Sequence, residues 1–175
     1  MSFVDFLRTT VLLCAGAATA LAAVTVIGAG ETGASDIALL AFAWWAAAGL
    51  IGVFIGRRNE TSPPIARLLA GARAVTTMPE QKPGRVILNR LWPLAGLTVF
   101  AGAAGFIAPQ IPGIATGFAI IWALAWRRQH AAVLAIEQRD GARFHVEPTS
   151  PLQPISLTRT PGFKTYLPQR DGQAA

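Results

Sequence analysis

The side chains best suited to chemistry lie between residues 137 and 159, where carboxylates and guanidinium groups alternate along the chain. The group comprises Glu137, Arg139, Asp140, Arg143, Glu147 and Arg159. Paired carboxylates could act as general acid and general base, and arginines beside them could bind a phosphate group. These residues are therefore the first candidates for a catalytic site.

The same residues also fit a β-hairpin, which gives them a structural role. A three-residue turn of Arg139, Asp140 and Gly141, with Gly141 in the left-handed conformation, sets Glu137 opposite Arg143. The apolar residues then share one face: Leu134, Ile136, Phe144 and Val146. A one-residue slip would exchange the two faces. The pattern therefore favours this register, in which Glu137 and Arg143 are a cross-strand pair rather than catalytic groups.

The hairpin needs further structure around it, because two isolated strands are marginal in water. The segment PISLTR alternates as well, with Ile155 and Leu157 on one side, and predicts a third strand. The competing interpretation extends the preceding helix through Ile136. If the region is a docking surface, the candidate interaction residues are Glu137, Arg139, Asp140, Gly141, Arg143, Phe144, Glu147 and Arg159.

Other motifs that carry chemistry are missing from the sequence. It has no GxxxxGK loop, no HExxH and no Cys-x-x-Cys, so we expect no cofactor and no metal. The two histidines, His130 and His145, are interpreted as solvated or interfacial side chains. The net charge of +6 could indicate nucleic acid. No recognition module accompanies the basic residues, however, and we expect no nucleic-acid partner.

The elements that carry these residues are apolar helices. Charged residues make up 14% of the 175-residue chain, against about 25% in an ordinary soluble domain. None occurs within residues 9–30, 37–56 or 91–126. About 20 helical residues cross the roughly 30 Å core of a bilayer. The charge-free stretches therefore predict transmembrane helices.

The third stretch is about twice as long as the others and predicts a helical hairpin. The motif IAPQIPG interrupts it, because Pro109 and Pro112 lack backbone donors and Gly113 loosens the chain. The predicted spans are about residues 9–30, 37–56, 91–108 and 112–128. The predicted fold class is an all-α membrane protein: four transmembrane helices as two helical hairpins, a short interfacial helix, and a small cytoplasmic β-hairpin near the C-terminus.

These elements divide the chain into three parts. Residues 1–130 form the predicted four-helix transmembrane domain, 131–168 the cytoplasmic β-hairpin and Pro-rich tail, and 169–175 a disordered end. Within the linker, the segment SPPIARLLAGARAVTTMP has apolar residues at helical spacing. It predicts a helix at about 63–77 on the membrane surface. The alternative is a simple tether between the two hairpins.

The distribution of basic residues predicts the orientation in the membrane. The linker from Arg57 to Arg90 has seven basic and two acidic residues, and the tail from Arg127 has seven and four. Basic segments stay in the cytoplasm. We therefore expect a multi-pass protein of the cell (inner) membrane with both termini cytoplasmic. The alternative for the first helix is a signal peptide cleaved after Ala22.

Small residues at four-residue spacing predict the contacts between helices, because lipid offers no hydrophobic incentive for helices to associate. The candidate packing residues are Gly52 and Gly56 in the second helix and Gly113 and Gly117 in the fourth. They could form seams of a compact bundle or of a homo-oligomer. Alanine and glycine are so frequent here that such spacings also arise by chance.

The motif RDGARFHVEPTSPLQPISLTRTPGF, with the preceding WRRQHAAVLAIE, resembles uncharacterised small multi-pass membrane proteins of actinobacteria. The likeness extends more weakly to GRVILNRLWPL and the hairpin after it, so it covers the C-terminal half. The resemblance implies a bacterial inner-membrane protein. It implies no activity, and no functional residues can be transferred from it.

Three functions remain open on these grounds. The leading hypothesis is a non-enzymatic accessory or scaffold protein that lies in the lipid bilayer and docks a protein partner, or a second copy, through its cytoplasmic linker and tail. The second is a membrane-bound enzyme acting on lipid or an envelope precursor. The third is a transporter or channel subunit. The absence of Asp, Glu, His, Lys and Arg from residues 9–30, 37–56 and 91–126 disfavours proton coupling by a monomer.

Overall fold

The computed structural model describes residues 1–57, 60–75, 83–147, 149 and 153–161. Its elements are α1 (Phe3–Glu31), α2 (Ser35–Ile55), α3 (Pro63–Ala70), β1 (Arg73–Ala74), α4 (Pro83–Ala104), α5 (Gln110–Trp126), α6 (Gln129–Asp140), β2 (Ala142–Val146) and β3 (Leu157–Pro161). The predicted disordered end at 169–175 lies outside the described residues. The described chain is thus mostly helical, with one small sheet.

Three helices are long and apolar enough to cross a membrane: Phe3–Glu31, Ser35–Ile55 and Gly84–Ala104. Many of their large apolar side chains face outward, and Leu50 of α2 is 75% exposed. Such exposure is unfavourable in water but suits a lipid environment. These helices indicate a membrane protein. α5 has 17 residues, about the shortest length that can span a membrane.

The helices pack around α5, which lies against both α1 and α2. At the contact with α2, a Cβ atom on Gly52 would stand 2.8 Å from the Cβ of Leu124. A Cβ atom on Gly56 would overlap the backbone carbonyl oxygen of Leu124. The two helices can approach this closely only because both positions lack a side chain.

The other two candidate packing residues lie on α5 itself. A Cβ atom on Gly113 would stand 3.2 Å from the methyl carbon of Thr25 on α1, and one on Gly117 would overlap the indole of Trp44 on α2. Each glycine therefore faces a neighbouring helix of the same chain. All the candidate packing glycines serve contacts within the bundle.

Two tryptophan side chains of α2 add polar contacts to this seam. The Trp44 Nε1–H donates to the Ile114 carbonyl oxygen at 3.1 Å, and the Trp45 Nε1–H donates to the Gly113 carbonyl oxygen at 2.8 Å. An indole N–H in an apolar surrounding needs an acceptor. Both groups find one on the first turns of α5, where they fix its position relative to α2.

One apolar core lies at the end of the bundle that carries the sheet. It consists of Phe3, Phe6, Leu7, Ile65, Val86, Val133, Phe144, Val146 and Leu157. These residues come from the start of α1, from α3, from the start of α4, from α6 and from two strands. We call this unit the sheet-end domain. Its core joins residues from both sides of the predicted boundary at residue 130.

The prediction of a first hairpin strand is wrong, because its residues belong to α6 (Gln129–Asp140). Gly141 is left-handed, with φ 58°, but it caps the helix and donates its N–H to a carbonyl of the last turn. The segment is rich in Ala, Leu, Gln and Glu, which favour helix. The helix buries Val133 and leaves Leu134 42% exposed. The competing interpretation is right that these residues are helical, but they form a separate helix, because a turn at Arg127 and Arg128 divides α6 from α5.

The small sheet has the order β1-β3-β2, with β2 antiparallel and β1 parallel to β3. The second strand of the predicted hairpin is thus present, and the predicted third strand lies at Leu157–Pro161. The start of the chain extends the sheet on the other side of β2. Ser2 forms a bridge with His145, and the Val146 N–H donates to the Met1 carbonyl oxygen at 3.2 Å.

The linker is less helical than the sequence indicates. The predicted interfacial helix at 63–77 corresponds to α3, which ends at Ala70 and is capped by Gly71. The chain then becomes β1, because Arg73–Ala74 pairs with β3. Residues 76 and 77 lie outside the described part of the chain.

α4 starts earlier than the predicted span at 91. Its first turns reach back to Pro83 and bring Val86, which is 2% exposed, into the core of the sheet-end domain. Pro93 lies inside this helix and removes one backbone donor. α4 therefore joins the bundle to the sheet-end domain as one helix.

The contact between α2 and α5 can be tested at two glycines, Gly56 at the end of α2 and Gly49 within it. Gly56→Ala should lower the free energy of unfolding by about 1–3 kcal/mol, because its Cβ would force the Leu124 backbone away. The φ of Gly56, −78°, is open to alanine, so the effect is steric. The measurement is equilibrium unfolding in mixed micelles.

The matched control is Gly49→Ala. A Cβ atom at Gly49 would meet no atom within 4 Å, so this variant should be as stable as the parent or slightly more stable. Equal losses from both variants would show that α2 and α5 do not approach as closely as described.

Candidate functional site

The candidate interaction residues occupy three kinds of environment. Phe144 is 2% exposed and belongs to the core, so it is unavailable to a partner. Glu137 and Gly141 serve the ends of α6 and β2, and the Glu147 N–H donates to the Ser156 carbonyl oxygen at 3.0 Å. The exposed members are Arg139, Asp140, Arg143 and Arg159. We call Arg139, Asp140 and Arg159 the charged face, because Arg143 projects from the other face of the sheet.

Glu137 binds the free edge of the sheet and is not a cross-strand partner of Arg143. Its Oε1 accepts the Phe144 backbone N–H at 2.9 Å. Burial raises the pKa of the Glu137 carboxyl, the Phe144 N–H and the Arg143 guanidinium oppose that rise, and nearby Asp5 adds to it. A half-buried carboxyl with an occupied oxygen is a structural acceptor here, and α6 brings it to that position.

Asp140 lies at the end of α6 between two arginines. Its Oδ1 accepts a hydrogen bond from Arg139 Nε at 2.9 Å. This bond and the nearby Arg159 lower the pKa of the Asp140 carboxyl, which therefore carries its charge at neutral pH. Asp140 and Arg159 line an open groove of about 620 Å³ beside the sheet, together with Gly141 and Pro161. The groove presents both signs of charge.

Arg143 and His145 extend from the opposite face of β2, where Thr160 lies across from Arg143. The Thr160 hydroxyl donates to the Arg143 carbonyl oxygen at 3.3 Å and stands 3.5 Å from His145 Nδ1. Burial lowers the pKa of His145, and the N-terminal ammonium group and Arg143 lower it further. The imidazole is therefore neutral at neutral pH. It is half-buried and is not a fully solvated side chain.

Two side chains of α4 hold the Pro-rich tail. Asn89 Nδ2 donates to the Thr149 carbonyl oxygen at 2.9 Å. Arg90 Nη1 donates to the Gln153 carbonyl oxygen at 2.7 Å, and Arg90 Nη2 donates to the Thr149 hydroxyl at 2.9 Å. The described part of the tail is thus tied to the first turns of α4, and its path does not depend on the strands alone.

Gln129 is a structural residue that the sequence analysis did not identify. It is 7% exposed, its Oε1 accepts the Ser62 backbone N–H at 3.0 Å, and its Nε2 donates to the Glu60 carbonyl oxygen at 3.4 Å. The sequence signal that points to it is the four-residue spacing between buried positions of a helix. Once residues 129–140 are helical, Gln129 shares a face with the buried Val133, four residues later.

The role of Glu137 can be tested with one variant that removes its acceptor oxygens and one that removes only its charge. Glu137→Leu should leave the buried Phe144 N–H without an acceptor and cost about 1–3 kcal/mol of stability. Glu137→Gln keeps a carbonyl oxygen at the same distance and should remain as stable as the parent. Hydrogen exchange of the amides of β2, followed by mass spectrometry, measures the difference. Equal protection in all three proteins would contradict the assignment.

The charged face therefore borders a groove that Asp140 and Arg159 line, and the buried side chains of Gln129, Thr158 and Thr160 are hydrogen-bonded within the domain. Among the residues that the structure describes, no group of three or more His, Cys, Asp or Glu side chains is placed to hold a metal ion. No protein-family model, no curated protein and no solved structure matches this chain.

Proposed function

We propose that the chain is a multi-pass protein of a bacterial inner membrane that crosses the bilayer four times, with both termini and the sheet-end domain in the cytoplasm. The excess of basic residues in the linker and tail supports this orientation. The fourth span is α5. Its 17 residues rise about 25 Å at 1.5 Å per residue. The resemblance to actinobacterial membrane proteins supports the bacterial origin.

The proposed activity is docking, without catalysis, of a protein partner or a second copy on the charged face. The observation that carries this proposal is the separation of the charged face from the core. Arg139, Asp140 and Arg159 are exposed. Exposed charges contribute little to folding, typically about 0–1 kcal/mol for a pair. They are therefore available to guide and orient a partner.

The groove beside the charged face indicates the chemistry of the partner. Its walls include Ala74 and Val75 as well as Asp140 and Arg159, so it combines a small apolar surface with charges of both signs. Interfaces of this kind suit a protein segment that carries complementary charges. We therefore expect the partner to be a protein.

The proposed topology predicts which positions are accessible from outside the cell. In a Cys14→Ala background, single cysteines at Thr32 and at Ile107, which is 90% exposed, should react with a membrane-impermeant maleimide on intact cells. A cysteine at Arg67 on α3 should react only after permeabilisation. Protection of the Ile107 position in intact cells, with labelling after permeabilisation, would show that α4 does not carry this loop across the membrane. Labelling of a cysteine at Arg139 in intact cells would show that α5 does not return across it.

Docking predicts a crosslink that depends on the charged face. A photoreactive residue in place of Ala74, in the groove beside the charged face, should capture one discrete protein. Arg139→Glu combined with Arg159→Glu should reduce that product about tenfold, equivalent to about 1.4 kcal/mol. The matched control is Arg67→Glu with Arg85→Glu, which makes the same charge change at other exposed positions.

The control variant should crosslink as strongly as the parent. Equal crosslinking in both double variants would show that the charged face does not select the partner. Capture of many unrelated proteins in place of one discrete product would contradict docking on this surface.

A further inference from the structure

A cleft of about 430 Å³ lies where α2 ends and where α5 passes into α6. One wall is apolar, with Phe54 and Ile55 from α2 and Trp126 from α5. The other wall is polar and includes Ser62 and Gln129. The cleft is therefore amphipathic.

The position of this cleft coincides with the end of the apolar helices. Phe54 and Ile55 are the last residues of α2, and Trp126 is the last residue of α5. In a chain that crosses the membrane, the ends of the spans lie at the headgroup level, where tryptophan is favoured. Acyl chains would thus meet the apolar wall, and headgroups would meet the polar wall.

The polar wall is fixed by hydrogen bonds and is not a loose rim. The Gln129 side chain bridges the Ser62 N–H and the Glu60 carbonyl oxygen. Beside it, Arg128 Nη1 donates to the Arg57 carbonyl oxygen at 3.2 Å. These contacts tie the chain after α2 to the start of α6. The polar wall is therefore held by contacts within the chain.

Basic residues flank the cleft, although its described lining carries the acidic Glu60 and no arginine. Arg57 follows the end of α2, and Arg127 and Arg128 lie between α5 and α6, next in sequence to the lining residues Trp126 and Gln129. They place an excess of positive charge at this end of the helices.

We propose that this cleft is a binding site for an anionic phospholipid. One acyl chain lies along Phe54, Ile55 and Trp126, and the phosphate group is held at the level of Arg127 and Arg128. The commitment to an anionic lipid follows from charge complementarity, because each basic residue near a membrane surface contributes about fivefold in affinity for anionic lipid. The proposal rests on membrane insertion and is independent of docking on the charged face.

Fluorescence quenching of Trp126 tests the proposal directly. The full chain is reconstituted in phosphatidylcholine vesicles that contain a minor fraction of brominated phosphatidylglycerol or, in parallel, brominated phosphatidylcholine. The contribution of Trp126 is the difference between the parent and Trp126→Phe. We expect about fivefold stronger quenching of Trp126 by the anionic lipid at equal mole fraction. Equal quenching by the two brominated lipids would overturn the proposal.

A pair of charge variants locates the headgroup. Arg127→Gln combined with Arg128→Gln should remove the preference for phosphatidylglycerol, whereas Arg67→Gln with Arg85→Gln should retain it. An equal loss of the preference for phosphatidylglycerol in both double variants would indicate a general surface potential and no specific site. If the first variant does not fold, the comparison of the two lipids on the parent protein still decides the question. Loss of the partner crosslink would leave this result unchanged, so failures of the two proposals are distinguishable.

Discussion

The close approach of α5 to α2 at Gly56 is the constraint on which the rest of the structure depends. A backbone carbonyl of α5, that of Leu124, occupies the space of the missing side chain. This contact lies two residues before the end of α5 at Trp126, and α6 begins at Gln129. Gln129 on α6 then reaches back to the chain that follows α2. A steric contact inside the bundle therefore determines the placement of the sheet-end domain.

A second constraint is the free edge of β2, whose backbone donors must be satisfied. The Val146 N–H is satisfied by the Met1 carbonyl oxygen, and the Phe144 N–H by the Glu137 carboxyl. An open strand edge is otherwise a site for pairing with another chain. One of the acidic residues offered as a catalytic candidate, Glu137, is therefore used to close the sheet, and α1 is joined to the sheet through the two residues before it.

Much of the fold is predictable from the sequence, because charge-free length is a direct physical requirement of a membrane span. Three of the predicted spans are helices of adequate length and apolarity, and β2 and the left-handed Gly141 lie where predicted. The strand prediction within 129–140 is wrong because a short segment can fit both the two-residue period of a strand and the 3.6-residue period of a helix. With Ile136 facing the core in either arrangement, the alternation of Leu134 and Ile136 did not exclude a helix.

The candidate site was less predictable than the fold. Gln129 is buried because a segment 67 residues away in sequence supplies its partners, and local patterning carries no information on such contacts. The same reason applies to the core of the sheet-end domain, in which Phe3, Ile65 and Val133 meet. The four exposed charges were identified as a set, but their separation from Glu137 and Phe144 required the geometry of α6.

The pairing of Ser2 with His145 has a consequence for the order of synthesis and folding. The first residues of the chain leave the ribosome long before β2 and β3, yet their place in the sheet exists only after those strands are made. Contacts of such large sequence separation form late, because loop closure must precede them. Helices inserted in the membrane would hold the two ends near each other and reduce that entropic cost. In a chain inserted in this way, the helical bundle would act as the template on which the sheet is completed.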